Sequence, residues 1–385
     1  MLIDVAVKKM LVSPMYHLSL SSKELFHSNF LAWLFVNYKD ESNILFKKYI
    51  DDTEGNYNIS SVTREENNRD LTVYFQNSNG NSKKLIIENK VKSIPNYQQL
   101  SNYSSNALQN EYFLLVSLTE PSFFTDRYLK IGECVWHYLS YGDLAKVVKE
   151  LSHQIRIKNP YHGEITLDYS NFISALQEVL SGFDVDNRIN TYDFYDGNSM
   201  LSTLREIRLH DFFLKHQHAK IANQIHIKIK SNISEALLVP EKKWEDGKLN
   251  EVFVGSGYTN GSGISEVKYV VEMKNLTPVI LGVQIQRDQF RLFLEAKEHA
   301  PQLAQLLFDE GMWFNFAHAK QVEGLGELEY PTNKHKIFNT YSGSFMYRAI
   351  KIKKCSMEKL LDSIVYYINY IHENRSKIKS IFTQI

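Results

Sequence analysis

The sequence predicts an α/β domain built on a mixed β-sheet flanked by helices, followed by an α+β domain. Three observations lead there. A hairpin signal over 70–90 is followed by a helical pattern and a nearly all-apolar strand, helices and strands alternate around it, and the second half runs four strands between two long helices. A hairpin next to crossover helices requires parallel and antiparallel pairing in one sheet.

The elements follow in order. From Ser21, SSKELFHSNFLAWLFVNY places Leu25, Phe26, Phe30, Leu31, Leu34 and Phe35 at helical spacing behind a serine start. The stretches KDESN and DDTEGNYN read as polar loop. DLTVYF at 70–75 alternates, QNSNGNS is turn chemistry, and KKLIIENK at 83–90 is the second strand of a hairpin. Pro95 ends the extended run, and NYQQLSNYSSNALQ reads as a helix with Leu100, Tyr103 and Leu108 inward. EYFLLVSLT at 111–119 and CVWHYLS at 134–140 are strands, YGDLAKVVKEL is a helix capped by Ser140 or Asp143, and 169–183 is a long amphipathic helix. The polar, turn-rich stretch after it places the domain boundary at 189/190, giving domains 1–189 and 190–385. The second opens with one helix, LSTLREIRLHDFFLKHQ, and continues with strands EVFVG, VKYVVEMK, VILGVQIQ and RLFLEAKE. A final helix carries Leu360, Leu361, Ile364, Val365, Ile368 and Ile371 on one stripe behind a Ser356 cap.

Composition bounds the function. Over 385 residues, 44 basic and 44 acidic side chains leave a formal net charge of +0, so any nucleic-acid contact has to be a local basic patch. Cys134 and Cys355 are far apart and lack the spacing of a zinc site or a disulfide framework, which fits a reducing cytoplasm. The N-terminal stretch lacks the pattern of a signal peptide, and no apolar run is long enough for a membrane span. The expectation is a cytoplasmic protein without a membrane partner.

The chemistry concentrates at the hairpin's open end. A turn centred on Asn79 and Gly80 sets Asp70 opposite Glu88 or its neighbour, and the strand's period of two sends Lys90 to the same face as Glu88. Two facing acids repel, so the fold needs a cation between them or a raised pKa on one of them. A divalent ion supplies that cation, and hard oxygen ligands with room for phosphate oxygens favour Mg²⁺. The lysine beside them then positions water and stabilises charge developing on phosphorus.

Asp70 followed by Glu88-Asn89-Lys90 on a hairpin resembles the signature of the PD-(D/E)XK nuclease superfamily, over roughly residues 21–183. The resemblance implies a restriction-endonuclease-like fold and a Mg²⁺-dependent nuclease, with Mn²⁺ as a substitute. Asp70, Glu88 and the main-chain carbonyl of Asn89 would bind the metal, with Glu24 on the first helix completing the shell. Lys90 would assist the water and Gln99 orient the site. Gln99 and Tyr103 match the Q-x-x-x-Y of the next helix, where Tyr103, with Lys92, would contact substrate. Glu65 or Glu66 is an alternative to Glu24. The residue before Asp70 is Arg69 instead of proline, placed to compete for the Asp70 carboxylate. The expected substrate is nucleic acid, DNA favoured over RNA, with a possible homodimer cutting both strands and a role in restriction or phage defence.

Each residue also has a plainer reading. Ser21 and Glu24 spell a capping box, Tyr103 can be core, His27 a polar-face histidine, and Lys83, Lys84 and Lys92 solvated charges. Asp70, Glu88 and Lys90 can be a surface ion pair. The Glu272-Met273-Lys274 stretch repeats strand-then-ExK without an aspartate opposite, and reads as a solvated strand end. The rival function is a catalytically silent nuclease-fold protein that binds nucleic acid, or one whose second half, with Tyr366, Tyr367 and Tyr370, carries a protein interaction.

Overall fold

The computed structural model describes residues 2–19, 25–51, 56–67, 69–182, 185, 190–193, 195, 199–238, 242–243, 248–249, 252–274, 277–331, 336–341 and 343–383. The chain divides into two compact units, Met1–Gly182 and Phe183–Ile385. The division falls at the end of a helix, ahead of the polar stretch that suggested 189/190.

The first unit begins with four helices, α1 (Leu2–Leu11), α2 (Pro14–Ser19), α3 (Leu25–Asn37) and α4 (Lys39–Phe46). Three strands follow, β1 (Asn58–Glu66), β2 (Arg69–Gln76) and β3 (Ser82–Lys90), and then α5 (Tyr97–Ser105). β4 (Glu111–Ser117), β5 (Tyr128–Ile131) and β6 (Cys134–Ser140) complete the sheet, and α6 (Tyr141–Lys158) and α7 (Pro160–Ser181) close the unit. One of these elements replaces expected loop, and another lies on a stretch for which no element was expected. Residues from KDESN form α4, which buries Leu45 and Phe46, and β1 pairs with β2 at the sheet's edge.

The six-stranded sheet runs β1-β2-β3-β4-β6-β5. β1, β2 and β3 are antiparallel, β3, β4 and β6 are parallel, and β5 returns antiparallel, so the sheet is mixed. The register is set at the turn. Asn77 closes it with its side-chain oxygen, accepting from the N–H groups of Asn79 and Asn81 at 3.0 Å each, while Gly80 takes φ 83°. Leu71 therefore faces Ile87, and continuing the ladder sets Asp70 against Glu88. The parallel centre explains the LII run of β3: Leu85, Ile86 and Ile87 are buried because both faces of this strand are covered. One face carries Ile86, Phe113, Leu115, Trp136 and Tyr138 against Leu100 of α5.

Helix ends follow their caps. The Asn96 side chain accepts from Gln98 N at the start of α5, and Ser140 caps α6 by accepting from Asp143 N. α5 ends at Ser105, leaving Leu108 outside the helix and 59% exposed instead of inward. α7 begins at Pro160, earlier than the apolar stripe suggested, behind an Asn159 cap.

The second unit contains β7 (Thr191–Tyr192), α8 (Ser199–Glu206) and α9 (His210–Lys230). The single expected helix here is two, because Arg208 adopts φ 56° between them. The short strands β8 (Leu237–Leu238), β9 (Lys242–Lys243) and β10 (Lys248–Leu249) precede the long ones, β11 (Val252–Thr259), β12 (Ser262–Lys274), β13 (Thr277–Gln286) and β14 (Gln289–Ala296). After α10 (Ala300–Asp309) come β15 (Leu325–Glu329), β16 (Asn339–Tyr341), β17 (Phe345–Ile352), β18 (Cys355–Ser356) and α11 (Met357–Phe382). The main sheet runs β15-β17-β14-β13-β12-β11-β8, with β16 also on β17. Asn260 and Gly261, both left-handed, make the tight β11–β12 turn. Ser356 caps α11, whose apolar stripe is buried apart from the half-buried Val365. Glu272 is not a solvated strand end: it pairs with Lys379 of α11 at 3.1 Å and its side chain is 16% exposed.

Candidate active site

The site lies where β2 begins and β3 ends, at the carboxyl end of the parallel strands. The apolar run stops at Glu88 because the strand there leaves the packed centre of the sheet and meets α5. Glu88 stays 1% exposed even so. Its Oε1 receives two contacts, from Lys90 Nζ at 2.6 Å and from Gln99 Nε2 at 2.7 Å. Gln99 Nε2 also reaches the Tyr103 hydroxyl at 3.1 Å. Gln99 and Tyr103 stand one turn apart on α5, so the helix presents both to the same carboxylate.

Asp70 sits on the neighbouring strand and accepts the Asn89 N–H through Oδ2 at 2.8 Å. Its charge acts on Glu88. Burial and then the Asp70 carboxylate push the Glu88 pKa up to about 7, against the opposing pull of Lys90. Burial first, then the Glu88 charge, likewise raises the Tyr103 phenol. Most telling is the second oxygen of Glu88. Oε2 is buried and has no hydrogen-bond partner among the described residues, although a buried carboxylate oxygen ordinarily finds one.

Asn89 turns its side chain to the opposite face of the sheet. Nδ2 donates to Ser28 Oγ of α3 at 3.1 Å, and Oδ1 accepts from the Tyr141 hydroxyl of α6 at 2.5 Å. Ser28 and Tyr141 were not read from the sequence as parts of the site. A signal existed: an asparagine inside a buried strand must satisfy an amide, and only the flanking helices can do that.

Other expected residues fall differently. Glu24 lies outside the described residues. Glu65 is exposed and contacts the guanidinium of Arg64 at 3.3 Å, while Glu66 accepts from Thr63 Oγ1 and the Tyr74 hydroxyl at 2.6 Å each. Neither joins the site: among the described residues, no three His, Cys, Asp or Glu side chains gather as a metal cluster. Arg69 does not compete for Asp70, because it forms a two-pronged pair with Glu111 at 2.9 and 3.3 Å. His27 is not on a polar face but 1% exposed, bonded to the Tyr169 hydroxyl at 3.1 Å and stacked on Phe172. Burial lowers its pKa to about 3. Lys92 is half-buried between β3 and α5. Lys83 and Lys84 lie at the turn end of β3, where Lys83 bonds the Asp51 carbonyl and lies over Tyr57, and Lys84 is 3.9 Å from Glu111.

A mixed sheet with an acid beginning one hairpin strand and an E-x-K ending the next agrees with what the family comparison finds. The first unit is similar to the PD-(D/E)XK nuclease superfamily. The model of that family matches residues 15–171. No curated protein and no solved structure matches the chain. The superfamily consists generally of nucleases, which typically use divalent metals and act on nucleic acid. No helix among the described residues is long and apolar enough to cross a membrane.

The donor set fits a hard divalent ion. Glu88 Oε2 is a buried carboxyl oxygen without a partner among the described residues, and the Asp70 carboxylate that raises the Glu88 pKa is the second oxygen donor. Both effects that raise the Glu88 pKa are ones a cation relieves.

Proposed function

We propose that the first unit hydrolyses phosphodiester bonds of nucleic acid with the help of Mg²⁺. The observation that carries this reading is the unpartnered Oε2 of Glu88 beside Asp70, on a carboxylate whose other oxygen is already held by Lys90 and Gln99. Asp70, Glu88 and the main-chain carbonyl of Asn89 would hold the ion, and Glu24 is proposed from the sequence as a further ligand. When bound, the ion supplies Lewis-acid stabilisation of phosphate oxygens and lowers the pKa of water.

The protein's own groups have separate tasks. The ammonium of Lys90 orients the attacking water and offsets the negative charge that develops on phosphoryl oxygen. Gln99 fixes the rotamer of Glu88 through Oε1, which leaves Oε2 for the ion. The Tyr103 hydroxyl, on the same helical face, and Lys92, on the loop before α5, would touch the sugar–phosphate backbone. DNA as the preferred substrate, endonucleolytic cutting by a homodimer, and service in restriction or phage defence complete the proposal, supported by the superfamily resemblance.

The test is incubation of the purified protein with plasmid, linear and single-stranded DNA and with RNA, in Mg²⁺ and in chelator. Metal-dependent cleavage that disappears in Asp70→Ala and Lys90→Ala, with the circular dichroism unchanged, is the expected result. Full activity in both folded variants would reject the assignment. Mg²⁺ titration by calorimetry separates this reading from a silent nuclease fold, which would show no carboxylate-dependent binding.

A further inference from the structure

The second unit contains a cleft of about 370 Å³ bounded by α10, β15, β17 and the 311–317 loop. That volume lies within the range of small-ligand sites. Its walls are aromatic: Phe308, Trp313, Phe314 and Phe316 line it, and Trp313, Phe314 and Phe316 are at most 4% exposed. Asn315, Leu328 and two cations, Arg348 and Lys320, also line it, and among the described residues no carboxylate does.

The Arg348 guanidinium is half-buried. It donates through one nitrogen to the Phe314 carbonyl at 3.1 Å and lies 4.7 Å over the Phe308 ring. Among the described residues it meets no carboxylate. Glu327 pairs with Lys353 at 2.9 Å, Glu329 bonds Gln289, and Asp309 bonds Gln305 at 2.8 Å. Lys320 is exposed at the rim, with no carboxylate partner among the described residues. Phe314 itself holds φ 62°, a left-handed conformation that an aromatic residue adopts at a cost and that recurs at ligand clamps.

Flat rings on the walls select a planar, π-rich group. A guanidinium fork with free donors beside a second, mobile cation selects a dianion over a single carboxylate. We propose that this cleft binds a nucleoside monophosphate unit, either as a free nucleotide or as the 5′-phosphorylated end of a strand. The base lies against Phe308, Trp313 and Phe316, and the phosphate is held by Arg348 and Lys320. The site is distinct from the Asp70–Glu88 centre, and its occupation does not depend on cleavage.

Calorimetric titration of the full chain in chelator tests the proposal. The probes are AMP, GMP, CMP and UMP, ribose 5-phosphate, adenosine, and short oligonucleotides with 5′-phosphate or 5′-hydroxyl ends. At least one monophosphate, or the 5′-phosphorylated oligonucleotide alone, is expected to bind. The first result assigns a diffusible ligand and the second a strand end. Ribose 5-phosphate and adenosine should each bind about tenfold or more weakly than that probe, since each lacks one half of the recognition. Arg348→Gln and Lys320→Gln should each weaken binding about tenfold, the loss expected for one charge-assisted hydrogen bond, while Asp70→Ala leaves it unchanged. Lys320 is exposed, so its substitution reads the site even if Arg348→Gln fails to fold. Absence of binding by every nucleotide and oligonucleotide, indifference to Lys320→Gln, or loss of binding in a folded Asp70→Ala protein would overturn the assignment.

Discussion

Replacing Glu88 by glutamine should stabilise the metal-free protein above pH 7 while removing its response to Mg²⁺. The glutamine has the shape and neutrality of the protonated acid and keeps an oxygen for Lys90 and Gln99. Burial and Asp70 raise the Glu88 pKa from 4.5 to about 7. The folded state therefore binds this proton more tightly than the unfolded chain does. Its contribution favours folding at low pH and is lost as pH rises from about 4.5 to 7, so the ionised side chain costs stability above that window. At about 1.4 kcal/mol per pH unit the raised pKa corresponds to roughly 3 kcal/mol, with the attraction of Lys90 already included. For a unit of this length each kcal/mol moves the midpoint by about 2–4 °C, so Glu88→Gln should melt roughly 6–12 °C higher at pH 8. At pH 5 most of that difference should vanish. Added Mg²⁺ should raise the wild-type midpoint and leave the variant's unchanged. Calorimetric melting of both proteins at pH 5 and pH 8, in chelator and in Mg²⁺, makes the comparison. A variant equally or less stable than wild type at pH 8, or a difference that ignores pH, would refute the electrostatic account of this site.

Three further outcomes follow from the same geometry. Because Glu88 must ionise to bind a cation, Mg²⁺ binding at pH 6 should release close to one proton, seen as a buffer-dependent binding enthalpy, and the release should fade by pH 8. Asn89→Leu keeps the branched shape of the side chain but removes the amide that meets the Ser28 and Tyr141 hydroxyls, and should destabilise the first unit by about 2–4 kcal/mol in urea unfolding. Gly282→Ala should destabilise the second unit by more than about 3 kcal/mol, read in the same assay, because a Cβ there would meet the Val267 carbonyl at 2.2 Å and the Phe293 ring at 2.4 Å.

Period-two alternation and turn chemistry made the hairpin legible. Register is a local quantity once the turn is known, and the QNSNGNS loop narrows the residue opposite Asp70 to Glu88 or its neighbour, between which the observed ladder decides. The Gln99–Tyr103 pair was readable for the same kind of reason, since four residues on a helix share a face. Other assignments rested on more than local pattern. α4 was read as loop because KDESN is polar, yet its later residues bury Leu45 and Phe46. Tyr366 and Tyr367, grouped by sequence as one interaction surface, part company: Tyr367 is 4% exposed and bonds the Asn315 carbonyl at 2.9 Å, whereas Tyr366 is 43% exposed and stacks on His318.

The sequence by itself determined which residues stand at the open end of the hairpin and that two acids and a lysine share a face there. Only the tertiary structure decided what each oxygen meets. Arg69 reaches Glu111 and not Asp70, Asn89 ties its strand to α3 and α6, and one oxygen of Glu88 is held while the other is left bare. The physical reason is that side-chain partners from distant segments, and the burial that sets a carboxylate's pKa, are properties of packing, which no local spacing encodes.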